Sequence, residues 1–242
     1  MNKVLGLALA SVVGLSLAGV LRAEEPKDIV EKAIKAAGGE EKLAKVKAQT
    51  WSAKGKYYGM GEGQDYTAEY AVQFPNKFKF TVQGVFTIVY DGSKGWRKMG
   101  DDATEMTAEQ LAEQKEQMHG SYLATLLPLR DKAYTLSPLG EVKVGDRAAV
   151  GVKVSSKGHR DVTLYFDKET NLITKSETTV KAEDQGFKEV NQEELYSDHQ
   201  DVEGVKIPMK MTINRDGKKF VEAENSNFKL ADKLDDGTFS KP

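Results

Sequence analysis

Residues 66–99 read YTAEYAVQFPNKFKFTVQGVFTIVYDGSKGWRKM, and their alternation limits what the chain can fold into. Tyr66, Ala68, Tyr70, Val72 and Phe74 alternate with Thr67, Glu69, Ala71 and Gln73. A period of two puts the first set on one face of a strand and the second on the other. Pro75-Asn76 interrupts the pattern, because proline offers no N–H to a sheet and asparagine suits a turn. Phe78, Phe80 and Val82 then alternate with Lys77, Lys79, Thr81 and Gln83. After Gly84, Val85–Tyr90 is almost wholly apolar, which predicts a better-covered strand. Asp91-Gly92 and Gly95 turn the chain into Trp96-Arg97-Lys98-Met99. The stretch is an antiparallel meander with one aromatic face, which helices, a ligand or both must cover.

The rest of the chain extends that sheet. Pro26 and Asp28 open a helix whose Ile29, Val30, Ala33, Ile34 and Ala37 share one face, and Gly38-Gly39 ends it. A short helix over 40–47 follows, then a strand over 48–58 carrying Trp51, Ala53 and Tyr57 on one side. The Gly59–Gly63 connection lacks the Gly-Lys-Ser/Thr of a phosphate loop and reads as a hairpin. Asp101-Asp102 reads as a polar turn. Thr107 and Gln110 form a capping box that starts a helix over residues 108 to about 127. That helix turns Leu111, Met118, Tyr122 and Leu126 to the sheet, with Glu109, Glu113 and Glu116 toward water and Gly120 loosening its middle. From Ala133 onward, runs such as Val162-Thr163-Leu164-Tyr165-Phe166 and Ile207-Pro208-Met209-Lys210-Met211 resume the strand pattern, ending near Leu230. In total about eleven strands at regular spacing predict a mainly β fold with some α. Such a sheet coils rather than lying flat. The expected architecture is a single large curved antiparallel sheet, a half-open β-barrel, lidded by helices.

Composition and the N-terminus narrow the function. Val4 to Leu21 is apolar after the positive Met1-Asn2-Lys3, and Leu21-Arg22-Ala23 precedes Glu24-Glu25-Pro26. Residues 1–23 therefore read as a secretory signal cleaved after Ala23, with an uncleaved membrane anchor as the alternative. Residues 24–242 form one exported domain. Formal net charge is −2, without clustered Lys or Arg, so nucleic acid is not an expected partner. The chain has no cysteine, which excludes disulfides, thiolate metal sites and a lipid-modified N-terminal cysteine.

The residues expected on the concave face are Trp51, Tyr57, Tyr70, Val72, Phe78, Phe80, Phe86, Ile88, Trp96, Leu164, Phe166, Met209 and Met211. Each could belong to a packed core or to the wall of a ligand cavity. The generous use of tyrosine and methionine, with thin helical cover, favours a cavity.

Several motifs, taken in order, resemble the LolA/LolB superfamily of lipoprotein carriers. They are Phe74-Pro75-Asn76-Lys77-Phe78, Tyr90-Asp91-Gly92-Ser93-Lys94-Gly95-Trp96, the leucine-containing helix, and Leu164-Tyr165-Phe166-Asp167-Lys168-Glu169-Thr170-Asn171-Leu172. Val202-Glu203-Gly204-Val205-Lys206-Ile207-Pro208 and Leu234-Asp235-Asp236-Gly237-Thr238-Phe239 resemble the close of outer-membrane lipoprotein-sorting-like proteins. The resemblance implies an open barrel with a helical lid. It implies a monomeric periplasmic carrier of lipid or lipoprotein acyl chains that meets membrane-associated donor and acceptor proteins. Carriers of this type place an arginine before the Pro-Asn, where it helps control opening; here Phe74 stands there. The superfamily also contains periplasmic sensors, so a module recognising a protein partner is the alternative function.

No catalytic constellation appears. There is no G-x-S-x-G and no H-E-x-x-H. His119 falls on the lid helix, His159 in an exposed turn, and His199 at a solvated strand end, none with metal-ligand spacing. Glu193-Glu194 and Asp235-Asp236 read as surface pairs, since neighbours on a strand point to opposite faces. The chain is expected not to be an enzyme and to need no metal or cofactor.

Overall fold

A computed structural model describes residues 24–242. The expected signal segment lies outside the described residues. The chain opens with helices α1 (Pro26–Ala36) and α2 (Glu40–Leu43). A first block of strands follows: β1 (Ala48–Tyr57), β2 (Gln64–Gln73), β3 (Lys77–Val82), β4 (Phe86–Tyr90), β5 (Gly95–Met99) and β6 (Asp102–Glu105). Helix α3 (Ala108–Leu123) separates it from β7 (Thr135–Val144), β8 (Arg147–Ser155), β9 (Val162–Asp167), β10 (Ile173–Ala182), β11 (Lys188–Val202), β12 (Val205–Arg215) and β13 (Lys218–Ala231). All belong to one 13-stranded sheet ordered β6-β5-β4-β3-β2-β1-β13-β12-β11-β10-β9-β8-β7. Every pairing is antiparallel, and β1 with β13 is the one that joins non-consecutive strands. The count exceeds the expected eleven partly because the chain after the expected turn at Asp101-Asp102 forms a short strand, Asp102–Glu105, that pairs with β5.

The sheet is open along its edges but strongly coiled. Arg97 on β5 donates to Glu183, just beyond β10, at 2.7 Å. Seven strands lie between β5 and β10 in the sheet order, so this contact exists only because the two arms curl toward each other. The concave side is covered unevenly. Ile29, Val30, Ala33 and Ile34 of α1 are buried against Val152, Val154, Val162, Leu164 and Phe166 of β8 and β9. Each isoleucine or valine buried there contributes about 1.5–3 kcal/mol. Arg130, in the turn after α3, ties α1 and α2 down by bonding Glu31 at 2.7 and 2.6 Å and Glu40 at 2.7 Å. The convex side has its own small core, in which Phe239 and Leu234 of the C-terminal segment pack on Ala71, Val89 and Trp96.

Coverage of β4 differs from expectation. Val89 and Tyr90 are buried, whereas Val85 is 56% exposed at the tip of the β3–β4 hairpin. Its position in the turn, with its N–H bonded to the Val82 carbonyl at 3.0 Å, keeps it out of the sheet's covered region. Among the described residues no helix is long and apolar enough to cross a membrane.

The β9–β10 turn hangs on Asp167, a buried carboxylate. It accepts from the N–H groups of Glu169 and Thr170 at 3.0 and 2.8 Å, from the Thr170 hydroxyl at 3.0 Å, and from Arg147 Nε at 2.7 Å. Burial pushes its pKa up, but these hydrogen bonds and the Arg147 charge outweigh it and hold the pKa below the usual aspartate value. The carboxylate's contribution is therefore complete above about pH 3.9 and is lost as pH falls through the lower folded-state pKa. Asp167→Ala is expected to cost about 2 kcal/mol in urea unfolding at neutral pH. Asp167→Asn should show a shallower loss of stability in acid than the parent.

Candidate functional site

The helices leave part of the concave face unfilled. Beneath α3 lies a cavity of about 410 Å³, within the roughly 300–1,000 Å³ range of small-molecule sites. The register of the meander builds one wall. Trp51 faces Tyr70, Tyr70 faces Phe80, and Val72 faces Phe78 across neighbouring strands. The Trp51 and Tyr70 rings stack at 4.6 Å, and Phe228 of β13 lies 5.6 Å from Trp51 on its other side. Trp51, Tyr70, Val72, Phe74, Phe78, Met211 and Phe228 all line the cavity. The opposite wall, on β10 and β11, is polar: Ser176, Thr178, Gln192, Glu194, Tyr196 and His199.

Helix α3 is the roof. Its start is the expected capping box, with the Gln110 N–H bonded to the Thr107 hydroxyl and the Gln110 side chain accepting from the Thr107 N–H. Met118 is buried with Val72 and Tyr90, and Leu111 packs beside them. Tyr122 lies against Phe74, ring centroids 6.1 Å apart. Leu126 falls past the helix end and joins the α1 core instead.

The other side of α3 is held by charge rather than by an apolar stripe. Glu113, expected in water, is 6% exposed and takes both Arg160 terminal nitrogens, at 3.1 and 2.7 Å. Glu116 accepts from the Arg160 N–H at 2.9 Å and lies 3.0 Å from His159 Nδ1. His159 is not a free turn residue: its ring stacks on His119 of α3 at 3.7 Å. Burial, aided by His159, holds the His119 pKa below the usual histidine value. At the start of α3, Gln110 bonds Glu183, the same carboxylate that meets Arg97. A polar clasp thus joins α3 to both arms of the coiled sheet.

The remaining sequence-predicted wall residues divide by position. Phe80 stacks on Tyr70 at 4.6 Å and meets Phe86 edge-on at 5.4 Å. With Ile88, which faces Phe80, they form a half-exposed apolar apron that continues the aromatic wall beyond the cavity. Tyr57 packs on Phe220 away from the cavity. Leu164 and Phe166 share the concave face but lie under α1, where they are fully buried core. Trp96 points the other way: it pairs with Val89 and sits in the convex core. Met209 lines a separate shallow depression with Asp198, Gln200 and Asn227. Glu194 and His199, both read as surface, line the cavity. His199 Nε2 is buried with no hydrogen-bond partner.

No family model matches the chain, and no curated protein matches it in sequence. Solved structures do match in shape. A LolA superfamily protein from Nitrosomonas europaea superposes with a TM-score of 0.60 at 12% identity, over 90% of this chain and 99% of that one. The fold is LolA-like. A DUF1329 family protein from Desulfovibrio piger gives 0.59 at 12% identity, over 90% and 98% of the two chains. A domain assigned to outer membrane lipoprotein sorting from Vibrio parahaemolyticus gives 0.53 at 11% identity, over 88% and 97%. At these identities the likeness concerns the LolA-like backbone and not the side chains of the cavity.

Because the Glu113–Arg160 pair is largely shielded from water, deleting one partner strands the other. Glu113→Ala is expected to cost about 2 kcal/mol and to raise hydrogen exchange first in α3, leaving the central strands protected. Uniform loss of protection across the sheet would show that α3 does not open independently.

Proposed function

We propose that this protein is an exported, periplasmic carrier that shelters an acyl chain of a lipid or lipoprotein beneath α3 and performs no chemistry on it. The observation that carries the reading is the open, aromatic-walled cavity under a helix whose N-terminal and middle parts are fastened largely by polar contacts. A module that only recognised a protein partner would need no such space. The LolA-like fold, and the likeness to a domain assigned to lipoprotein sorting, support the reading.

Energetics suit pickup and release. Each buried methylene contributes about 0.8 kcal/mol, so a dozen give on the order of 10 kcal/mol before costs. Displacing α3 and ordering the chain reduce that gain. The apron of Phe80, Phe86 and Ile88 gives an incoming chain an apolar surface that leads to Tyr70 and the cavity. In this reading Arg97, Glu183 and Gln110 close the end of the roof in a protein that carries Phe74 where lipoprotein carriers place a gating arginine.

Locking the roof tests the reading. A Cβ built at Gly120 lies 3.9 Å from Val162 Cγ2, so the two positions are neighbours across the helix–sheet contact, where introduced cysteines can be joined by oxidation or by a short reducible crosslinker. The chain has no other cysteine to compete. Oxidised Gly120→Cys/Val162→Cys protein is expected to take up a fluorescent fatty acyl probe far more slowly than the same protein after reduction. Equal loading of the two forms would contradict the role of α3 as the gate.

A further inference from the structure

The carrier reading leaves open which amphiphiles the cavity takes, and the polar wall bears on that choice. Glu194 on β11 faces Ser176 on β10. Its carboxylate accepts from the Tyr196 hydroxyl at 2.8 Å and from Gln192 Nε2 at 3.0 Å. With the Tyr196 proton committed to Glu194, the Ser176 hydroxyl donates to Tyr196 Oη at 3.0 Å. Gln192 Oε1 in turn accepts from Arg215 Nε at 3.0 Å, and Arg215 reaches Asp184 at 3.4 Å. The network orients Glu194; Arg215 feels its charge but bonds Gln192 and Asp184 rather than Glu194 itself. Of the other carboxylates lining the cavity, Glu113 is paired with Arg160 and Glu116 contacts His159. Among the described residues no lysine or arginine forms an ion pair with Glu194, although it is half-buried.

The facing wall adds to this. Trp51 and Tyr70 present stacked aromatic rings to the same space. Glu194 and both rings line the one cavity, the carboxylate on one wall and the rings on the other. A fixed carboxylate that shares a cavity with aromatic rings recognises an ammonium, through a charge-assisted hydrogen bond and cation–π attraction. The same carboxylate repels an anionic head.

We infer that the cavity selects amphiphiles with a protonated primary amine head, which binds Glu194 while the alkyl chain lies along the aromatic wall. This rests on the carrier reading, and its test separates the two. Dodecylamine, dodecanol and dodecanoate, below their aggregation concentrations, would compete with a fluorescent apolar probe for the purified mature protein. The amine is expected to bind about tenfold more tightly than the alcohol, and the carboxylate more weakly than the alcohol. Glu194→Gln should bring the amine to the level of the alcohol while leaving the alcohol's affinity unchanged, which also reports an intact cavity. Glu62→Gln, in the exposed β1–β2 connection, removes the same charge from the surface and should preserve the preference.

An amine no tighter than the alcohol in the parent protein would overturn the inference and leave the carrier reading standing. So would a preference that survives Glu194→Gln, or one that Glu62→Gln erases equally. Failure of all three compounds to displace the probe would overturn both. The comparison within the parent protein decides the matter even where a variant is unstable.

Discussion

A single antiparallel sheet of thirteen strands has more concave surface than three helices can fill, and that mismatch underlies the cavity. Twist obliges a sheet of this width to coil. Coiling brings β5 to the end of β10, where Arg97 meets Glu183. Helix α1 fills the trough over β8 and β9 with aliphatic side chains and makes an ordinary core there. Helix α3 crosses the rest, with Met118 against β2 and β4 and Glu113 bound to Arg160. Close packing would require the space between them to be filled. It is instead left open beneath the helix.

The roof's chemistry suits movement. An apolar helix face sunk into an apolar groove would stay closed unless the whole fold loosened. On α3 much of the attachment runs through Glu113, Glu116, His119 and Gln110, groups that water can solvate when the helix lifts. Of the apolar contacts, Met118, Leu111 and Tyr122 lie on the wall an alkyl chain would occupy, whereas Leu123 anchors the C-terminal end of the helix in the α1 core. A guest can therefore replace what the N-terminal and middle parts of the helix give up, with Leu123 as the pivot. The C-terminal segment meanwhile packs Leu234 and Phe239 on the outside of the first arm, so its convex face stays covered whatever happens inside.

Much of this was legible in the residues. Strict alternation from Tyr66 to Val82 set the phase of β2 and β3, so Tyr70 opposite Phe80 followed from the pattern. The capping box located the start of α3. Trp96 misled because the two large apolar residues of β5, Trp96 and Met99, are three apart and so fall on opposite faces, which reveals no phase; the turn from Asp91 to Gly95 decides it, and the tail supplies the cover. Leu164 and Phe166 were assigned to the right face, but which helix covers a strand is a tertiary matter that local pattern does not carry. Glu194 was readable and missed. Glu193 and Glu194 sit on a strand, so one of the two had to point inward. The polarity of β11 was the signal that one wall of the cavity is polar. The His119–His159 stack joins residues forty apart in sequence and had no local signature.

The two tryptophans lie on opposite faces of the sheet, Trp51 in the cavity and Trp96 in the convex core, and they make the central claim directly measurable. Titrating the Trp96→Phe protein, in which Trp51 is the remaining tryptophan, with a spin-labelled alkyl amphiphile should quench fluorescence saturably. The Trp51→Phe protein, reporting from Trp96, should show little quenching at the same concentrations. Equal quenching of both, or none of Trp51, would contradict a guest held beneath α3.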